Sequence, residues 1–295
     1  MVKNTGRIRW SSLNKQVKEM KMAYQINYAY ACQTGKVRAN NEDNFWCCGE
    51  LLPAENQGVE GIRTGSVIRN DLPVLAVFDG MGGESCGEMA AYLAAEAFDR
   101  HYHEKKKRLK KNPKKFLEDA CNHMNAEVCR YGSEKRIRSM GTTMAMMAFG
   151  QRFIYACNLG DSRIYRIKEG QLSQISTDHV LGHGLFGKAP LTQYLGVEEE
   201  SIALEPSIVK AEYQAEERYL LCSDGLTDML SDKEIETMIT SEGTVEQVTE
   251  KLMEKAMEKG GRDNTTVILC EVKRQEEKSS FRNWLEQRKA IGDAK

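Results

Sequence analysis

Apolar and polar positions alternate from Tyr24 onward (YQINYAYACQ), the period-2 pattern of a strand whose two faces meet different surroundings. Denser apolar runs follow at 44–48 (NFWCC), 74–79 (VLAVFD), 143–149 (TMAMMAF), 153–159 (FIYACNL), 162–167 (SRIYRI), 219–224 (YLLCSD) and 265–271 (TTVILCE). Each has strand length, and short glycine-containing turns separate several of them. Hairpins and antiparallel pairing are therefore expected rather than crossover connections. Two stretches carry the helical period instead. Cys86, Met89, Ala90, Leu93, Ala94, Ala97 and Phe98 form one apolar stripe, and Leu117, Ala120, Cys121, Met124, Val128 and Tyr131 form another after Pro113. Further on, Ser231 with Glu234 and Thr244 with Gln247 have the spacing of capping boxes, which predicts two more helices. Each group of strands thus has a pair of helices available to cover one face. The expectation is an α+β protein, a strand-rich sandwich flanked by helices, although periodicity alone does not rank it above other α+β layouts.

Charge and composition narrow the class. In 295 residues, 42 Lys and Arg nearly balance 43 Asp and Glu, so no overall field steers the chain toward nucleic acid or an anionic membrane. The nine cysteines form no CxxC pair and sit mostly in apolar stretches, which fits reduced thiols in a cytoplasmic protein better than zinc or disulfides. No apolar stretch reaches the roughly 18 residues of a membrane span. Three segments are expected: a basic N-terminal extension (1–22), a catalytic domain (23–273) and a charged tail (274–295) with a small cluster of Phe281, Trp284 and Leu285. The run HEKKKRLKKNPKK (103–115) reads as a solvated helix end and turn. His101 and His103 are expected in solvent and His123 on a helix face, leaving His179 and His183 as the histidines near a site.

The chemistry lies at the ends of the strands. Acidic motifs recur at NNEDNF (40–45), VFDGMGG (77–83), NLGDSRIY (158–165), LCSDGLTD (221–228) and GGRDNTT (260–266). A single Asp-Gly is an ordinary turn. Five such endings are more than turns require, because strand ends on one side of a sandwich can converge. If Glu42, Asp79, Asp161, Asp224 and Asp263 do so, two like charges about 4 Å apart repel by roughly 4 kcal/mol at an effective dielectric near 20. Such a cluster needs cations. Two divalent ions cancel most of the charge, and oxygen-only ligands favour Mg²⁺ or Mn²⁺ over Zn²⁺. The glycines after Asp79 let the backbone approach, so the Gly80 carbonyl could add a ligand.

These five motifs, in this order and spacing, resemble the protein phosphatase 2C family in its bacterial form, over about residues 24 to 272. The resemblance implies a four-layer α-β-β-α sandwich of two antiparallel sheets flanked by helix pairs. It implies a protein serine/threonine phosphatase in which a metal-bridged hydroxide attacks phosphorus directly. Its substrates would be phosphoproteins made by a serine/threonine kinase. Asp79 would bridge two metals, with Asp224 and Asp263 completing the first site and Glu42 and the Gly80 carbonyl serving the second. Arg38 matches the family's phosphate-gripping arginine, and Asp161 a position that helps hold a third, looser metal. Asp43 and Asn264 would orient ligands and waters. Met81 stands where many eukaryotic members carry a histidine acid, the segment between His179 and LTQYLG (191–196) is short for a flap, and Gln193 replaces a common arginine.

Two rivals share some features. Cys32 to Arg38 and Cys157 to Arg163 match the Cys-x5-Arg of thiol phosphatases. The first lies partly within an expected strand, and the second puts Asp161 inside the would-be phosphate loop. A non-catalytic scaffold of the same fold would have lost ligands, whereas every acid and Arg38 are present.

Overall fold

A strand buried on both faces needs apolar side chains at nearly every position, and the central strands here meet that demand. The structure, a computed structural model, describes residues 24–81, 86–137, 139–182, 189–198 and 203–275. The basic extension, nearly all of the charged tail with Phe281, Trp284 and Leu285, and His183, Gly82 and Gly83 lie outside the described residues. One sheet has the order β3-β1-β12-β11-β8-β9, built from β1 (Tyr24–Gln33), β3 (Arg63–Ile68), β8 (Arg163–Lys168), β9 (Gln171–Gln174), β11 (Arg218–Cys222) and β12 (Thr265–Arg274). The other has the order β10-β7-β6-β4-β2, from β2 (Asp43–Cys47), β4 (Val74–Met81), β6 (Met144–Phe149), β7 (Phe153–Leu159) and β10 (Ser207–Glu212). The short β5 (Gly141–Thr142) pairs with the end of β4. All of these strand pairs are antiparallel.

Period-2 geometry sorts the side chains into layers. Leu75 and Val77 of β4 enter the core between the sheets with Tyr30, Phe45, Phe149, Tyr219 and Ile268. Val74, Ala76 and Phe78 point the other way, onto α1 (Gly87–Lys111) and α2 (Pro113–Lys135). On the opposite side Ala29, Ala31, Val267 and Leu269 face α4 (Asp232–Ile239) and α5 (Val245–Glu258). The result is helix pair, sheet, sheet, helix pair.

Helix ends follow local rules. Asn112 caps α2 by accepting from the Lys115 N–H, with Pro113 in the first turn. Arg108, Lys110 and Lys111 finish α1, where cations suit the negative end of the helix dipole. The lysine run is therefore helix end and turn, as expected. His101 departs from expectation. It is buried, 7% exposed, and packs on the Phe116 ring at 4.8 Å, because the α1–α2 hairpin folds over it. Ser231 closes a full capping box with Glu234 at the start of α4. Ser231→Ala should cost about 1 kcal/mol, a fall of roughly 2–4 °C in melting temperature for a domain of this size, readable by calorimetry.

Candidate active site

Five chain segments meet at one end of the sandwich, and hydrogen bonds rather than apolar packing join them. The loop from Thr34 to Glu42 is held at both ends by one side chain. Asn264 donates to the carbonyls of Thr34 and Asn40, each at 2.9 Å, and accepts from the Glu42 N–H at 2.8 Å. Gly35, at φ +84°, lies so close that a Cβ would fall 2.5 Å from the Asp263 carbonyl oxygen. Arg38, on this loop, donates to Asp263 Oδ2 at 2.8 Å.

The second junction sets Glu42 beside Gly80. The Gly80 N–H donates to the Glu42 carbonyl at 3.1 Å. A Cβ on Gly80 would overlap the Gly87 and Glu42 carbonyl oxygens at 2.2 and 2.5 Å, so only glycine fits there. Asp79 lies in β4 directly opposite Asp43 of β2. The Asp79 carbonyl accepts from the Thr143 N–H and the Thr142 hydroxyl, each at 2.9 Å. Thr143 Oγ1 also lies 2.7 Å from Ser162 Oγ, next to Asp161, which ties that turn to Asp79.

Asp43 supplies the third junction. Its Oδ2 accepts from Ser223 Oγ and Thr266 Oγ1, both at 2.7 Å, deep in the core. Asp224 follows Ser223 and is 5% exposed. It opens a short helix, α3 (Asp224–Thr227), rather than ending the strand. Asp263 carries Arg38 and also accepts the Asn264 N–H at 2.9 Å. Every expected residue thus sits on one of these joined segments: Arg38, Glu42, Asp43, Asp79, Gly80, Asp161, Asp224, Asp263 and Asn264.

Electrostatics follow from this convergence. The Asp263 hydrogen bond raises the Arg38 pKa, and the charges of Asp263, Glu42 and Asp79 add to it. Burial pushes the Glu42 carboxyl above its usual range, and Glu88 pushes it further. Glu88 escaped the sequence reading. Its Oε2 is buried with no hydrogen-bond partner among the described residues, in the first turn of α1 beside Gly87, where a Cβ would touch the Glu42 carboxyl at 2.9 Å. An acid in the first helical turn after a glycine-rich segment was the available signal. Among the described residues no group of three or more His, Cys, Asp or Glu side chains forms a ready cage. The segments are joined by their backbones and by Asn264, Thr143 and Ser223, and repelling carboxylates close up only around a cation. The donors are carboxylates and a carbonyl set around an arginine, a set that fits hard divalent ions.

The thiols do not fit catalysis. Cys32 is fully buried and its pKa is pushed up to about 12, first by burial and then by Asp43. Its partner by spacing, Arg38, is engaged with Asp263. Cys157 is buried beside Cys121 and raised by that contact, and Arg163 forks onto Asp178 at 2.7 and 2.9 Å. No helix among the described residues is long and apolar enough to cross a membrane.

Residues 63–265 match the family model for protein phosphatase 2C. The serine/threonine phosphatase stp of Listeria monocytogenes serotype 4b (strain F2365) is 30% identical over 253 residues, 80% of this chain and 92% of that protein. The serine/threonine protein phosphatase PstP of Mycobacterium tuberculosis (strain CDC 1551 / Oshkosh) is 30% identical over 84% of this chain and 45% of its own length. A crystal structure of the PstP catalytic domain in complex with two manganese ions superposes with a TM-score of 0.67 at 28% identity, covering 85% of this chain and 99% of that one.

Proposed function

This chain belongs to the protein phosphatase 2C family and is a metal-dependent serine/threonine phosphatase; from that premise we propose how its own residues divide the work. Arg38 grips the phosphate of a phosphoserine or phosphothreonine. Its planar fork matches two phosphate oxygens and offsets the charge that grows on them. Asp79 would serve two cations, Mn²⁺ or Mg²⁺. Asp224 and Asp263 would hold the first with it, and Glu42 with the Gly80 carbonyl would hold the second. When bound, the two ions would supply an acidified water to attack phosphorus. Asp43 and Asn264 hold the segments that carry these residues. Asp161 would help hold a third, looser ion with Asp224.

The observation that carries this reading is Arg38, bonded to Asp263 at 2.8 Å and acted on by Glu42 and Asp79. A phosphate beside those acids has Arg38 to meet it, and the two thiols that match a thiol phosphatase, Cys32 and Cys157, are buried with raised pKa values. The nine free cysteines suit a reducing cytoplasm, where the substrates would be products of a serine/threonine kinase. The test of direct attack is stereochemical. A phosphothreonine mimic with a chiral thiophosphate should react with inversion at phosphorus, whereas retention would demand a phosphoenzyme and overturn the proposal.

Asp161 makes a narrower forecast. Asp161→Asn keeps a polar turn residue and removes one charge. The turnover number should fall at least about tenfold, near 1.4 kcal/mol in barrier, with melting temperature unchanged. Wild-type turnover in the variant would return Asp161 to a turn-capping role.

A further inference from the structure

Asp161 leaves the chain from a bend that one residue holds on both sides. Gly160, just before it, sits at φ +96°, and a Cβ there would strike Thr143 Cβ and Cγ2 at 2.7 Å. The Gly160 N–H donates to His179 Nδ1 at 3.2 Å, and the Gly160 carbonyl accepts from the His179 N–H at 2.9 Å. Accepting at Nδ1 places the ring proton on Nε2 and needs a neutral ring. Burial favours that form by lowering the imidazole pKa, opposed by the charge of Asp178.

The segment carrying His179 is itself fastened from both directions. Upstream, Asp178 takes the Arg163 fork, and Asn158 exchanges two hydrogen bonds with the Thr177 backbone at 2.6 and 3.2 Å. Downstream, the His179 carbonyl accepts from the Thr192 N–H at 2.8 Å, and the Leu181 N–H donates to the Pro190 carbonyl at 2.9 Å. That short ladder runs on to Leu195, which exchanges both backbone hydrogen bonds with Thr142 at 2.9 Å. The Thr142 hydroxyl reaches the Asp79 carbonyl. His179 is thus a link in a hydrogen-bonded circuit from the Asp161 turn to the Asp79 strand end.

We propose that His179 is a positioning residue for Asp161, clamping the Gly160 peptide groups so that the Asp161 carboxylate meets the third, looser cation. The proposal rests on the third-ion reading given above. It does not make His179 a ligand or an acid, since its Nδ1 is occupied by the Gly160 N–H. A clip that only stabilised the fold would change melting temperature and leave ion binding alone. A positioning residue changes the third ion selectively.

The experiment uses the full chain crystallised over a series of Mn²⁺ concentrations, with manganese counted by anomalous diffraction, beside kinetics as a function of Mn²⁺. Removing a group that orients a metal ligand typically weakens the metal by about 10- to 100-fold. His179→Ala should lose the third ion at concentrations that fill it in wild type and keep the other two. The Mn²⁺ needed for half-maximal turnover should rise by a similar factor, with KM within about twofold. His179→Asn, whose amide oxygen stands where Nδ1 stood, should regain most of that loss. Should His179→Ala fail to fold, His179→Gln, with its oxygen nearer the Nε2 position, takes its place and should behave as the alanine is expected to. Full third-ion occupancy in His179→Ala or Gln, with Asp161→Asn losing that ion, overturns the His179 assignment alone. Equal loss in the alanine and asparagine variants also overturns it. A third ion that survives Asp161→Asn, or never fills in wild type, overturns the third-ion reading and this assignment with it.

Discussion

Hydrolysis of p-nitrophenyl phosphate is expected to vanish in EDTA and to return when Mn²⁺ or Mg²⁺ is supplied. The effect should be the largest of any treatment, because no other group among the described residues is set to activate water. Cys32 has its thiol pushed up to about 12, too high to supply a thiolate near neutral pH. Asp79→Asn should act like partial chelation, since it weakens the one ligand proposed to serve both ions. A drop in kcat/KM of at least about a thousandfold is expected, near 4 kcal/mol in barrier. Native alkylation of the cysteines should matter far less, because Cys32 and Cys157 are fully buried. Undiminished turnover in EDTA would sink the metal assignment.

The second large effect is expected from Arg38→Ala. The guanidinium is half exposed, at 49%, while the Asp263 carboxylate it meets is 23% exposed, so the arginine is free to turn toward a phosphate at the rim. Losing one partner of a desolvated charge pair typically costs about 2–4 kcal/mol, which is roughly 30- to 1,000-fold in kcat/KM. Manganese binding measured by calorimetry should persist, and removal of the positive charge beside Asp263 should tighten it slightly. Arg38→Lys should recover part of the loss, because an ammonium keeps the charge and not the fork. Wild-type kcat and KM in Arg38→Ala would leave the residue only its loop-fastening contact with Asp263.

The two expectations differ in how openly the chain displayed them. The acids stood in five short motifs, each at the end of an apolar run. The partner that holds Arg38 in place, Asp263, lies 225 positions away, and only folding joins them. Glu88 was harder still to see as part of the site, and His179, expected near it, gave no sign of what it holds. Glu88 reads as an ordinary acid in a helical first turn, and the meaning of His179 depends on the bend at Gly160. Thr143 was absorbed into an expected strand, although its hydroxyl joins Asp79 to Ser162.

By itself the chain determined its inner strands and its helices. β4, β6, β7 and β12 are buried on both faces, which demands continuous apolar runs, and α1, α2, α4 and α5 bury one stripe, which demands the 3.6 period. Capping boxes at Ser231 and Thr244 are local chemistry and formed where their spacing predicted. Tertiary structure decided the edges. β3, β9 and β10 are exposed or half-exposed edge strands with polar residues, held by a neighbour's backbone and lacking an apolar signal. It also decided that Asp79-Gly80-Met81 stays in a strand, because β2 pairs with Asp79 and β5 arrives to pair with Gly80 and Met81, whereas Asp-Gly alone reads as a turn. Above all it decided which turns meet. Strand ends carry no record of their neighbours in sequence period, and the side of the sandwich on which they gather is set by the antiparallel order of two sheets.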